Sequence, residues 1–400
     1  MTMARPGRGR PVEDRRAYFD HAATTPLRPE AREAMLPFWT QDFANPSGAH
    51  TESRRARVAL DDARERIAEL LGAGPGDVVL TSGGTEADDL AVHGGWDAVG
   101  DLLGAGDGPG AVVCAAMEHH AVLEACRALA RRTGADLRLV PSDPWGVVDV
   151  DALAGACTPE VRLVSVMTVN NELGTVQPLA DVARLVGERS PHAVLHTDAV
   201  QAVPWLEAAV TGPADLVSVS AHKFGGPKGT GALVLRRGAA VRPRMAGGGQ
   251  ERGRRSGTPN VAGAVGAAAA LGAAVAGREA DVARVTALRD RLADALAAQV
   301  PDVVESGRRS DRVAGILHLR LDGVESEALV VLLDEVGIAA SAGAACSSGA
   351  VEPSHVLASL GLDAVAASSG VRFSLGVTTT DADVDLAIER VPPVVERLRN

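Results

Sequence analysis

The amino-acid sequence predicts an α/β protein built on a mostly parallel sheet with helices over both faces. Short, continuously apolar segments recur along the chain: AVVCA (111–115), LRLV (137–140), VRLVSVM (161–167), AVLHTDAVQAV (193–203) and ADLVSVS (214–220). Between them lie stretches with helical spacing, such as EHHAVLEACRALARR, which Gly134 stops. Strands that are apolar on both faces are buried on both faces, as in parallel sheets with helical crossovers. A chain of 400 residues with 46% hydrophobic content also has enough apolar surface for two domains.

Composition narrows the function classes. A formal net charge of −11 disfavours general binding to nucleic acid or membrane. The four cysteines, at 114, 126, 157 and 346, include no close pair of the kind that binds zinc. No metal site or disulfide framework is expected, and a reducing cytoplasm is the default location. Residues 1–16 carry five arginines without an apolar core, which reads as a disordered basic arm rather than a secretory signal. No uninterrupted apolar run reaches membrane-spanning length.

Order is expected from YFDHAATTPLRPE (18–30), where a short apolar step enters a loop punctuated by proline. NPSGAH (45–50) reads as a turn. Over 53–71, Leu60, Ala63, Ile67, Leu70 and Leu71 share one helical face, and Gly72 supplies the stop. In VVLTSGGTEADDLAV (78–92) a β-branched strand runs through Gly83, Gly84 and Thr85 into a helix. Free backbone N–H groups at such a junction suit either a capped turn or an anion.

Ligands on parallel sheets gather at the carboxyl ends of the strands. That places emphasis on Glu118-His119-His120, Asn170-Asn171-Glu172, His196-Thr197-Asp198 and Ser220-Ala221-His222-Lys223. Lys223 follows a buried strand and is succeeded by glycines at 225, 226, 229 and 231. An amine in such a tight, approachable loop suits a Schiff base, most often with pyridoxal phosphate, although a surface loop is the ordinary setting for a lysine. Asp198 is the natural carboxylate for a pyridinium nitrogen, or else a helix cap. His119 could stack on the ring or move protons.

In order and spacing, YFDHAATTP, NPSGAH, TSGGTEADD, MEHHAV, VNNELGTVQP, HTDAVQAV, SAHKFGGPKGTGAL, GGGQERGRRSGTPN, SAGAACSSGAVEPSHVL and VRFSLGVTTT resemble the cysteine desulfurases of the class V aminotransferase group. The loop around Cys346 resembles the subgroup with a long catalytic loop. The resemblance implies a fold-type I pyridoxal-phosphate transferase with a seven-stranded, mostly parallel sheet and a smaller α+β domain. It implies Lys223 as the Schiff-base lysine, His119 stacked on the pyridine ring, Asp198 at the ring nitrogen and Gln201 at the phenolic oxygen. Gly84, Thr85, Ser220 and His222 would hold the phosphate, with Thr258 from the other subunit of a homodimer. Asn171 and Arg372 would bind the carboxylate of L-cysteine, and Cys346 would take its sulfur as a persulfide and pass it to an acceptor, an iron–sulfur scaffold or a tRNA-thiolating enzyme.

The same resemblance implies a large cofactor-binding domain over 33–279 and a small domain formed by 17–32 and 280–400. Selenocysteine lyases and aminotransferases share the scaffold and remain alternatives, whereas intact Lys223 and Cys346 argue against a purely docking role. Asp89 stands where the family often has Asn, and Pro204-Trp205 replaces Gly-Lys or Gly-Arg. Both are expected to alter packing beside the phosphate or at the dimer edge.

Overall fold

The computed structural model of the protein describes residues 15–103, 108–343 and 353–400. Residues 1–14 of the expected arm, and Cys346 with its loop, lie outside these. The last two residues of the expected arm are tied to the fold. Arg16 pairs with Asp334, and the Arg15 carbonyl accepts from Arg390.

Twelve strands occur among the described residues: β1 (Ala17–Tyr18), β2 (Val78–Thr81), β3 (Ala111–Ala115), β4 (Asp136–Val140), β5 (Val161–Ser165), β6 (Val194–Asp198), β7 (Leu216–Ser220), β8 (Gly231–Leu235), β9 (Val303–Glu305), β10 (Ile316–Leu321), β11 (Ile338–Ala339) and β12 (Gly370–Ser374). Seven of them form the main sheet, in the order β2-β8-β7-β6-β5-β3-β4. Within it only β8 runs against its neighbours, because it returns from β7 through the loop that carries Lys223. Side chains alternate between the two faces, as the pleat requires. Val113 and Ala115 enter one apolar core, while Val112 and Cys114 enter the other. This is why the apolar runs in the sequence show no alternation.

A third core gathers Phe19, the second half of a long helix, β10, β12 and the last helix, Asp381–Arg399. β9, β10 and β12 form an antiparallel sheet there, and β1 pairs in parallel with β11, Ala17 opposite Ile338. The segment 17–32 is shared between cores: Ala17 and Phe19 join the third, Ala22 and Ala31 the first. So does the C-terminal part, since Val356 and Leu357 pack in the first core.

The sequence reads as an alanine-rich helical stretch over 261–277 leading into a second over 281–299; the structure joins them in one helix, Val261–Gln299, of 39 residues. Its alanine-rich first half lies in the first core and Val285, Leu288, Leu292 and Leu296 lie in the third. The absent β-carbon at Gly266 admits Met35, whose Sδ is 2.5 Å from where that carbon would be. By length and composition this helix could cross a bilayer, but 56% of its apolar window is buried inside the protein. It is placed as a core helix.

Trp205 packs against both the first and third cores, against Gly315, where no β-carbon could fit. Asp89 turns outward to Arg244, 2.9 Å away, rather than toward the phosphate motif.

Candidate active site

A cavity of about 340 Å³ opens at the carboxyl ends of the parallel strands. Gly84, Thr85, His119, Asn171, Asp198, Gln201, Ser220, His222, Lys223 and Arg372 all line it. These residues come from segments as distant as 84 and 372, and sheet order brings them together.

Lys223 sits in the short turn Ala221–Lys223 that follows β7. Its Nζ donates to the carbonyls of Ala22 and Ala23, residues of the N-terminal segment. Burial, with the positive charge of Arg372 adding to it, brings its pKa down to about 8. A buried lysine of this kind has its neutral, nucleophilic form within reach of physiological pH.

Asp198 ends β6, and its Oδ1 accepts from Val200 N–H at 2.8 Å. Burial raises its pKa to about 6, against the favourable backbone N–H and the charge of Lys223. It is therefore mostly ionised at neutral pH. His119 caps the helix His120–Thr133, its Nδ1 accepting from Ala121 N–H at 3.2 Å, so that in the neutral ring the proton is on Nε2. The ring is exposed to the open cavity while protein atoms crowd around it, and the resulting desolvation, then Lys223, lowers its pKa to about 4. A neutral, flat ring is what stacking on another aromatic ring needs.

The anion cradle is built by β2 and the helix Gly84–Asp89. Gly83 has φ of +155°, and it lies against Gly231 of β8, whose β-carbon would stand 2.7 Å from the Gly83 Cα. Both positions need glycine, one for conformation and one for contact. Ser220 lies beside the cradle, 3.9 Å from the position of a Gly83 β-carbon. His222 Nδ1 meets Thr24 Oγ1 at 3.2 Å, and burial depresses its pKa to about 4. Gln201 Nε2 donates to the Ala22 carbonyl at 2.8 Å.

The substrate side is formed by Arg372 on β12 and the Asn171 loop. Arg372 Nη1 donates to the Asn171 carbonyl, Nη2 pairs with Asp20 at 2.8 Å, and Nε has no partner among the described residues.

Thr258 is not in this cavity. It lines another, of about 110 Å³, with Ser82, Glu251 and Arg255. The motifs gave no signal for Asp20, or for the carbonyls of Ala22 and Ala23. Asp88, His120, Glu172 and His355 also line the main cavity; Glu172 and His120 had been indicated by their position after strands.

The set fits pyridoxal phosphate: an amine for the aldehyde, an ionised carboxylate for the ring nitrogen, a flat neutral ring above, and a glycine cradle where β-carbons are excluded. The class-V aminotransferase profile matches residues 17–386.

The chain belongs to that family.

A cysteine desulfurase of Cereibacter sphaeroides is 43% identical over 386 residues, 96% of this chain and 97% of that protein. An IscS-like cysteine desulfurase of Mycobacterium tuberculosis is 45% identical over 388 residues, with 96% and 97% covered. Among solved structures, a NifS-like protein superposes with a TM-score of 0.86 at 31% identity, covering 96% of this chain and all of that one. DndA of Streptomyces lividans superposes with a TM-score of 0.75 at 34% identity, covering 90% and 99%. Members of this family depend on pyridoxal phosphate, and so does this enzyme.

Proposed function

We infer that the protein converts L-cysteine to L-alanine and delivers the sulfur, through a persulfide on Cys346, to an acceptor protein. The observation that carries this reading is the convergence of Lys223, Asp198, His119 and Arg372 on one cavity. The bound cofactor supplies an electron-withdrawing ring that makes the α-proton of the amino acid acidic and labilises its sulfur.

The chain's own groups do the rest. Arg372 and Asn171 hold the substrate carboxylate, fixing which face of the α-carbon meets Lys223. Lys223, once its amine is free, takes the α-proton and returns a proton to the product carbon. His119 would cover the cofactor ring and, being neutral, add no charge there, and Asp198 would hold a proton on the ring nitrogen. The Cys346 thiolate attacks the substrate sulfur: an S–S bond forms as the C–S bond breaks, the bonding pair stays on carbon and is protonated, and alanine leaves.

We infer a homodimer with shared sites, a reading that the place of Thr258 supports. Its cavity is separate from that of the other expected phosphate ligands, so it is available to a second copy. Exposed Leu36, Trp39 and Phe43 offer an apolar surface for such a copy. We assign the protein to the cytoplasm, where Cys114, Cys126 and Cys157 stay as the free thiols seen here. The acceptor is an iron–sulfur scaffold or a tRNA-thiolating enzyme.

Cys346→Ser tests the reading. Cys114, Cys126 and Cys157 are buried, and burial raises the thiols of Cys114 and Cys157, the former helped first by its contact with Cys126. Such thiols are inert. The variant should keep the cofactor absorbance and respond spectrally to cysteine, yet release no sulfide. Mass spectrometry of the wild type after brief exposure to cysteine should find the extra sulfur on the peptide 341–349; finding it only on another cysteine refutes the mechanism. A transaminase would not notice the substitution, and a selenocysteine lyase would retain turnover on selenocysteine.

A further inference from the structure

Three acidic side chains, Asp88, Glu118 and Asp198, are gathered inside the protein, the first and last of them at the wall of the cavity. They come from the helix that starts at the glycine cradle, the turn after β3 and the end of β6. Asp88 is 1% exposed and Glu118 not at all. Asp88 and Asp198 both line the cavity. Asp88 Oδ1 and Glu118 Oε2 each lack a hydrogen-bond partner among the described residues.

Among the described residues no cation compensates Asp88. His196 Nε2 is 3.6 Å from Asp88 Oδ1, beyond hydrogen-bond reach. Both ring nitrogens of His196 are occupied by hydroxyls, Ser165 Oγ at 2.9 Å and Ser218 Oγ at 3.0 Å. Burial keeps that imidazole neutral, with a pKa near 3. The other groups that act on Asp88 are the Ser218 hydroxyl, the Cys126 thiol and the Asp198 carboxylate. Glu118 meets Asp198, Asp88, Cys126 and the Met167 N–H. Only Asp198 has both a backbone donor and the charge of Lys223 in its favour.

An unpaired carboxylate out of water is costly enough that the group takes a proton instead, and like charges sharing one site reinforce this. We propose that Asp88 is a positioning residue that works as a neutral carboxylic acid. By keeping its proton it leaves Asp198 as the one carboxylate facing the cofactor ring, so that a single negative charge matches the single positive charge of the protonated ring nitrogen. Burial, with repulsion from Asp198 next, pushes Asp88 well above the usual carboxylate range, and burial does the same to Glu118. Asp88 thereby links the two ends of the cofactor site, since it lies three residues beyond Thr85 on the same helix.

The proposal relies on the cofactor assignment for the meaning of the charge balance, but the protonation of Asp88 can be read without it. Infrared difference spectra of the full-length protein, with aspartate carboxyls labelled with carbon-13, should show a carboxylic-acid carbonyl band at neutral pH that moves with the label and is missing in Asp88→Asn. The same variant preserves shape and neutrality. It should therefore leave the cofactor dissociation constant within about twofold, and the pH midpoint of the cofactor absorbance within about 0.3 unit, of the wild type. Asp198→Asn, which removes the one charge, should shift that midpoint by more than about one unit. An aspartate spectrum with carboxylate bands alone overturns the proposal, as does a shift of more than about one unit in Asp88→Asn. If Asp88→Asn does not fold, the wild-type band decides. Absence of cofactor absorbance in the wild type would count against the cofactor assignment, and the aspartate band would still report on Asp88.

Discussion

The guanidinium of Arg372 is held between Asp20, whose Oδ1 lies 2.8 Å from Nη2, and the Asn171 carbonyl, 2.9 Å from Nη1. The arginine is thus aimed before any substrate arrives, by one residue of the N-terminal segment and one of the loop after β5. Replacing Arg372 by Ala removes a charged hydrogen-bonding partner of the substrate, at about 2–3 kcal/mol, or roughly 30–150-fold in kcat/KM. Asp20→Asn keeps the arginine and loosens its aim. It should raise KM for cysteine by up to roughly tenfold with the cofactor spectrum unchanged; steady-state kinetics with absorbance spectra on both variants checks this.

Lys223 has a lowered pKa of about 8, which sets a pH dependence for cofactor capture by the cofactor-free protein. The ammonium form cannot attack an aldehyde, so capture should accelerate as pH rises and level off above about 8. At pH 7 about a tenth of the chains would hold the neutral amine, against a few in ten thousand for an ordinary lysine. Stopped-flow absorbance between pH 6 and 10 measures this, and a rate still climbing at pH 10 would contradict the burial effect. Borohydride reduction should fix the cofactor on Lys223 and not on Lys228.

The proposed shared-site dimer predicts complementation. Lys223→Ala and Thr258→Ala chains are each impaired as homodimers. Co-expressed and purified through different tags, the mixed dimer contains one site with both residues intact, so it should recover roughly half of the wild-type rate. A rate no higher than about half that of the Thr258→Ala homodimer would show that each chain uses its own threonine.

Gly231→Ala tests the cradle. The new β-carbon would stand 2.7 Å from both the Gly83 Cα and the Val219 carbonyl oxygen, so the backbone must shift. Overpacking of this kind costs about 1–3 kcal/mol. Cofactor affinity should fall by roughly tenfold or more, with a lowered melting temperature; calorimetry and cofactor titration measure both.

The sheet was legible because its strands are apolar on both faces, and the segments 111–115 and 161–165 were read with their boundaries nearly in place. Helix ends were legible where glycine takes a left-handed conformation, as at Gly72 and Gly134. The join at 277–281 was not, because Gly277 reads as a break while the packing on either side keeps the helix continuous. Residues just past the strands pointed to His119, Asp198 and Lys223, since topology alone gathers strand ends. Asp20 escaped notice because its role depends on β1 finding β11, a pairing without local signature. Asp88 was hidden behind Asp89: two acids in succession on a helix give no sign of which one faces inward.

The pairing of Ala17–Tyr18 with Ile338–Ala339 spans nearly the whole chain. A ribosome makes the first strand long before its partner, and contacts so distant in sequence form late. The carbonyls of Ala22 and Ala23 that receive the Lys223 amine, and the carboxylate that aims Arg372, follow directly after that strand. A chain stopped short of residue 338 carries its lysine, its cradle and Asp198, but lacks the β1–β11 pairing that helps to fix the N-terminal segment beside them. Cofactor capture should therefore be weaker in a chain truncated before residue 338 than in the full-length protein, because the carbonyls that receive the Lys223 amine are then held at fewer points.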